Sequence, residues 1–286
     1  MITAYFDASY NQPKPNSTDS LVYTVACYFG DRPNWNKFRK EWRTALEKSG
    51  LSRDFHFHMN KFEYARAQAI AGGELENKNP YYGWSKADFD RFLDRMHRII
   101  NRRSKSSKPR LAPFQATVIR SDFDEARPKE LKSDLECRSY YIFCVSAIMD
   151  AIRQWADENN YYDPVHYIFA KGDKEGGNLH RWFDYCWKHE DLRHRFRLGK
   201  GYSRVPHSMQ FSAVEPALQA ADVAAYEFHK FAVSWIESGL QEIEKARLRA
   251  AIKSLTRIEH FGWLFTKQQL AAYFADVPEN RRLYPR

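Results

Sequence analysis

Leu21-Val22-Tyr23-Thr24-Val25-Ala26-Cys27-Tyr28-Phe29-Gly30 is the strongest strand signal in the chain. Its β-branched and aromatic side chains suit a pleated surface, and the run stops on a glycine. Upstream, the first residues alternate apolar and polar as far as Asp7, then break into a Pro/Asn/Ser-rich turn from Asn11 to Ser20. The two runs therefore predict a hairpin. Downstream, Trp35, Phe38, Trp42 and Leu46 recur at helical spacing, with Gly50 as a stop. Phe55-His56-Phe57-His58-Met59 predicts a short strand, followed by a helix from about Asn60 to Ala71.

Further along, Ser85 is suited to cap a helix whose apolar face is Phe89, Phe92, Leu93, Met96 and Ile99–Ile100. The stretch from Asn101 to Pro113 is basic and linker-like. A strand is predicted over Phe114–Ile119, a long helix over about Ser133–Glu158 and a strand over Val165–Ala170. A helix over Asn178–Lys188 and an Arg- and Gly-rich loop to Pro206 follow. Met209–Val214 predicts another strand, Pro216 opens a helix to about Ser238, and a mostly helical tail carries a short aromatic strand near Phe261–Phe265. Antiparallel pairing early and β-helix-β units later define an α/β chain with helices on both faces of a mixed sheet.

The 286 residues carry 45 Lys+Arg against 36 Asp+Glu, a formal net charge of +9. With 43% apolar residues there is ample material for a core, which excludes global disorder. The longest apolar runs are far too short to span a bilayer, and no secretory signal opens the chain, so no membrane partner is expected. Cys27, Cys137, Cys144 and Cys186 form no CxxC pair, and a disulfide framework is not expected at this size. A reducing cytoplasmic location is the expectation. The positive balance hints at a polyanion partner, although excess Lys and Arg also describe an ordinary solvated surface. The sequence sets no oligomeric state.

Asp7 breaks out of an apolar strand, either as an acid facing water at a turn or as a carboxylate compensated by a cation. Glu215-Pro216-Ala217-Leu218-Gln219-Ala220-Ala221-Asp222 is the most informative segment. Pro216 suits the first helical turn, and Gln219 and Asp222, three apart, share a helix face. The surrounding alanines let that helix approach a sheet or ligand closely. Gly172-Asp173-Lys174-Glu175-Gly176-Gly177 places two acids where a strand gives way to a helix, a common location of ligand sites in α/β folds. His56 and His58 point to one side of an extended segment. Hydrogen-bonding or structural roles are favoured for them over a zinc pair, with phosphate contact or proton transfer by His58 the alternative. There is no P-loop, nucleophile elbow, HExxH helix or dinucleotide fingerprint.

Taken together, Asp7 with Ser9, His58-Met59, Gly172-Asp173-Lys174, and Leu218-Gln219-Ala220-Ala221-Asp222 followed by Ala225-Tyr226 resemble the bacterial domain-of-unknown-function 3800 family. The resemblance runs from Asp7 to Tyr226, and its Gln-Ala-Ala-Asp helix is the most specific element. It implies a ribonuclease H-like fold over 1–286, as one enlarged domain with an insertion at about 72–113 and a helical C-terminal extension at about 238–286. It also implies a divalent-metal-dependent nuclease or related phosphodiester-processing enzyme that uses Mg²⁺ or Mn²⁺ on RNA or DNA, with bacterial defence as a biological setting. Asp7, Asp173 and Asp222 would be the metal ligands, with Glu175, Glu215 and Glu63 in reserve, Gln219 orienting the cluster and His58 beside it. The family pattern places an acid at the end of the central strand, where this chain has Ala170-Lys171. The alternative is therefore a nucleic-acid-binding protein that kept the fold and lost the site. Flanking phosphates would meet Arg102, Arg103, Lys105, Lys108 and Arg110 in the connector, and Arg193, Arg195, Arg197, Lys200 and Arg204 in the later loop. Tyr81, Tyr82, Trp84 and Tyr202 are candidates to stack on bases, against plain packing as the other reading.

Overall fold

The computed structural model describes residues 2–10, 21–104, 111–129, 137, 139–171, 176–199, 209–212, 215–238 and 262–275. The predicted hairpin is present. β1 (Ile2–Tyr10) pairs antiparallel with β2 (Val22–Asp31), with Tyr5 opposite Tyr28 and Asp7 opposite Ala26. Asp31 caps α1 (Arg32–Glu47), accepting the Asn34 N–H at 2.8 Å, and Pro33 stands in the first turn, where its missing N–H costs nothing. α2 (Met59–Ile70) and α3 (Lys86–Ser104) follow. Ser85 and Asp88 cap α3 reciprocally, the Ser85 N–H and hydroxyl both donating to the Asp88 carboxylate.

β3 (Leu111–Ile119) pairs antiparallel with β2, and after α4 (Arg120–Ala126) and α5 (Tyr140–Glu158) the chain enters β4 (Val165–Ala170). α6 (Gly176–Lys188), α7 (Glu190–Arg195), β5 (Met209–Ser212), α8 (Pro216–Glu237), β6 (Gly262–Phe265) and α9 (Lys267–Ala275) complete the order. The sheet has six strands in the order β5-β4-β1-β2-β3-β6. β1, β3, β4, β5 and β6 all run the same way and β2 alone runs against them. The mixed α/β architecture is thus as expected.

Side-chain alternation sorts the sheet into two faces. Ala4 and Phe6 of β1, with Val25, Cys27 and Phe29 of β2, pack under α5, α6 and α9. Tyr5, Ala26 and Tyr28 face the other way, onto α1, α2, α3 and α8. With both faces covered, β2 is buried from Val22 to Gly30, which explains why it reads as a continuous apolar run instead of an alternating one. All four cysteines are buried free thiols, and burial pushes those of Cys27 and Cys144 up, out of reach of ionisation at neutral pH.

Several boundaries differ from expectation. Phe55–His58 forms no strand among the described residues, and α2 already begins at Met59. The connector is shorter than predicted, because α3 continues to Ser104 and β3 starts at Leu111. Pro113 belongs to the strand and not to the connector. It lies within β3 opposite Tyr28, where β6, which first pairs at Gln115, has not yet begun, so its missing N–H breaks no ladder bond to β6. The short aromatic strand expected near Phe261–Phe265 is present as β6, which adds an edge strand to the sheet, and α9 packs on α4. α4 and α7 were not predicted. No described helix is long and apolar enough to cross a membrane.

The start of α5 also moves, to a cap at Ser139 whose Oγ accepts the Ile142 N–H at 3.3 Å in a buried setting. Ser139→Ala is expected to cost about 1 kcal/mol by removing that cap, measured as a lowered urea midpoint at unchanged slope.

Candidate functional site

α8 is the element on which the site is built. Its alanines Ala217, Ala220, Ala221, Ala224 and Ala225 are all buried, and with so little side-chain bulk the helix lies close against β1 and β2. Two anchors fix its path. At the start, Glu215 caps the helix and accepts from Arg39 Nε at 2.6 Å, while Arg39 Nη2 donates to the Tyr5 hydroxyl at 2.6 Å. Burial pushes that hydroxyl's pKa up to about 12, against the pull of the Arg39 cation. Near the end, Ala232 and Val233 pack on Val22, which lies beside the carboxyl end of β1. Asp222 falls between these anchors on the helix, and Asp7 falls between the same two levels on the strand.

Asp7 and Tyr5 are two apart in β1, so both point to the α8 face. Asp7 is partly exposed, and its Oδ1 accepts the Ala8 N–H at 2.8 Å. Ala170 lies one step past the Phe6–Phe169 pair of the parallel β1–β4 ladder and packs against the same face. A small apolar side chain therefore stands beside Asp7 where a second carboxylate could have been.

Asp222 is almost wholly buried, with 6% of its surface exposed. One oxygen, Oδ2, accepts the Met59 N–H at 2.6 Å and lies 3.4 Å from His58 Nδ1. Burial raises its carboxyl above the ordinary carboxylate value, opposed by the nearby His58 and by the Met59 N–H. Burial, reinforced by the same carboxylate, pushes the Tyr81 hydroxyl up and keeps it protonated well past neutral pH. His58 is the N-cap residue of α2, but its side chain makes no capping bond, and 43% of that side chain is exposed beside the buried acid. His56, two residues earlier, also faces outward, while Phe57 and Met59 fill the core, so the predicted shared side of the two histidines is present.

Gln219 does not orient a carboxylate cluster. Its Oε1 accepts Trp42 Nε1–H at 2.8 Å, and its Nε2 donates to the Phe55 carbonyl at 3.3 Å. Gln219 and Asp222 instead grip the two ends of the Phe55–Met59 segment, which sets His58 in place. Sequence reading missed Arg39 and Trp42 in this framework. Their signal was available, because Trp35, Phe38 and Trp42 define a buried face of α1 beside which Arg39 must lie.

The remaining candidates divide. Asp173, Glu175, Lys105, Lys108, Arg110, Lys200, Arg204 and Tyr202 lie outside the described residues. Glu63 sits 3.6 Å from Arg66 in an ion pair that continues to Asp90, and Glu215 is tied to Arg39, so neither reserve acid is an uncommitted ligand. Arg102 is exposed on the last turn of α3, and Arg103 follows it in the helix. Tyr81 is core and Trp84 packs against that core, which leaves Tyr82 as the exposed aromatic of that loop. Arg195 and Arg197 do not flank the acids. Arg195 forks onto Asp150, and Arg197 pairs with Asp157 and donates to the Tyr161 carbonyl. The Arg197 carbonyl accepts from Val165, the first residue of β4, about 16 Å of strand away from Ala170.

As donors, Asp7 and Asp222 fit a hard divalent cation in kind, being carboxylate oxygens. They fall short in number: among the described residues no group of three His, Cys, Asp or Glu side chains converges to hold a metal. No family model, curated protein or solved structure matches this chain, so the site is read on its own geometry.

Proposed function

We propose that the chain is a divalent-metal-dependent nuclease, or a related phosphodiester-processing enzyme, with a ribonuclease H-like fold. One observation carries the reading. The central strand β1 and the covering helix α8 each present an aspartate, Asp7 and Asp222, between the same two anchors on one sheet face. That placement is what the resemblance to the domain-of-unknown-function 3800 family requires of its first and last acids. Mg²⁺ or Mn²⁺ would be held by these two carboxylates with Asp173 and Glu175, and would supply Lewis-acid activation of water and neutralise phosphate charge. The chain itself provides His58, whose Nδ1 lies 3.4 Å from Asp222 Oδ2 and whose side chain is 43% exposed, placed to contact a phosphate or move a proton. RNA or DNA is the substrate class, and the net charge of +9 favours such a partner. Bacterial defence is the biological setting that fits an enzyme of this kind.

Ala170 beside Asp7 favours a second reading, a nucleic-acid-binding protein with the same fold and a disabled site. The two are separated by incubating labelled RNA and DNA with the chain in Mg²⁺ or Mn²⁺. Cleavage lost in Asp7→Asn supports the enzyme, and cleavage untouched by that change rejects the assignment. Tight, salt-sensitive binding without cleavage in any divalent metal supports the second reading, and activity gained by Ala170→Glu would identify a disabled enzyme.

A further inference from the structure

A cleft of about 400 Å³ opens at the amino end of β4, at the far end of that strand from Ala170. Arg153 on the last turns of α5, Tyr162 in the connection to β4, and Arg193, His194 and Arg197 from α7 and the turn after it line its wall. Asp157 is the sole acid among the described lining residues. It accepts from Arg153 Nη1 at 2.8 Å and also from Arg197 Nη2, so one carboxylate pins two guanidinium groups without satisfying either fully. The Arg197 side chain is only 13% exposed, and its buried Nε finds no acceptor among the described residues. A guanidinium carries five N–H donors, so both groups keep capacity for a further acceptor.

The Arg193 guanidinium lies over the Trp187 ring, 5.6 Å from its centroid, which uses none of its N–H donors. Its nearest carboxylate oxygen, on the exposed Glu190, is 3.7 Å away, beyond hydrogen-bond length. Arg197 adopts φ of 48°, a left-handed conformation that an arginine seldom takes. The strain is held by the turn bonds Arg197 N–H to His194 O and Leu198 N–H to Arg193 O, which bring Arg193 and Arg197 to one side of the cleft. Tyr162 adds a different chemistry. It is 74% exposed, the largest exposure among the exposed large hydrophobics, and the Arg197 guanidinium lies 5.8 Å from its ring centroid. An aromatic ring left this open beside arginines is a stacking platform.

We infer that this cleft is a binding site for the phosphate of a nucleotide, with Arg153, Arg193 and Arg197 taking the phosphate and Tyr162 stacking on the base. Planar guanidinium forks match phosphate oxygens, and the volume is within the range of small-ligand sites. The site goes beyond the nuclease reading and is independent of it, since it contains neither Asp7 nor Asp222. The nucleotide is either free or the phosphorylated end of a strand, and the chemistry recognised is the same.

Binding of AMP and of inorganic phosphate to the full chain, measured by calorimetry in EDTA, tests the inference. Arg193 is partly exposed, so Arg193→Gln leaves the fold intact. It is expected to weaken both ligands about tenfold, the loss of one charge-assisted bond. Tyr162→Ala is expected to weaken AMP by a similar factor and leave phosphate unchanged. Competition then assigns the source: a 5′-phosphorylated oligonucleotide that displaces AMP when its 5′-hydroxyl counterpart does not identifies a strand end, and failure of both identifies the free nucleotide. No AMP binding, or AMP binding unchanged by Arg193→Gln, overturns the proposal.

Discussion

Asp222→Asn is expected to lower metal-dependent cleavage by about a hundredfold or more while making the metal-free chain more stable at neutral pH. On the proposed nuclease reading, the loss of activity follows from removing a carboxylate that would be a ligand to the ion; even outer partners of metal ligands carry up to about a hundredfold. The gain in stability follows from burial. Asp222 has its carboxyl raised above the ordinary 3.8, so the folded chain binds that proton more tightly than the unfolded chain does. Its contribution is neutral at a pH below the ordinary value. The cost develops as pH rises through that value and is complete above the raised one. Asparagine keeps an oxygen for the Met59 N–H and carries no charge, so it escapes this cost. Thermal unfolding in EDTA should show the two proteins converging near about pH 3 and the variant melting higher at about pH 7. A wild type that melts higher at neutral pH contradicts this account of Asp222.

Gln219→Leu is expected to be among the most destabilising single changes in the molecule. It strands the buried Trp42 N–H and removes the donor to the Phe55 carbonyl. The buried Trp42 N–H left without a partner costs about 1–3 kcal/mol, and the part-buried Phe55 carbonyl adds to that loss. Trp42 is wholly buried, stacked on Phe38 and edge-on to Phe57, so its indole cannot turn to find water. Trp42→Phe, made in the Gln219→Leu background, removes the stranded donor. Urea denaturation of the two single variants and the double variant should therefore give a coupling of about 1–3 kcal/mol, the double being less damaged than the sum. Additive losses would mean that the Trp42–Gln219 bond contributes nothing to the fold.

Much of this architecture is legible in residues taken a few at a time. Phe6 and Tyr5 alternate to opposite faces, Val165–Ala170 begins and ends where its apolar run does, and Pro216 marks the start of α8. The two short helices were not legible. α4 has 7 residues and α7 has 6, too few for a hydrophobic period to declare itself. The Ser139 cap was hidden because the apolar pattern continues upstream through Cys137, which is itself buried.

The acids and the arginines differ in a more instructive way. Asp7 and Asp222 reach one face because strand alternation and helix packing are local rules. Arg195 and Arg197 were expected near those acids, yet they lie at the opposite end of β4. A helix that follows a strand runs back along it, so residues after α6 return to the strand's beginning. The bond from Val165 N–H to the Arg197 carbonyl is the mark of that return. Gln219 illustrates a third limit, since its helix-face relation to Asp222 was right while its partners, Trp42 and Phe55, are set by packing from distant segments.

Mn²⁺ binding to the metal-free chain, followed by electron paramagnetic resonance of the free ion, tests most directly whether Asp7 and Asp222 share a cation. The account predicts that wild type takes up Mn²⁺ and that Asp7→Asn and Asp222→Asn each weaken uptake at least about tenfold. Mn²⁺ uptake identical in wild type and both variants would contradict it.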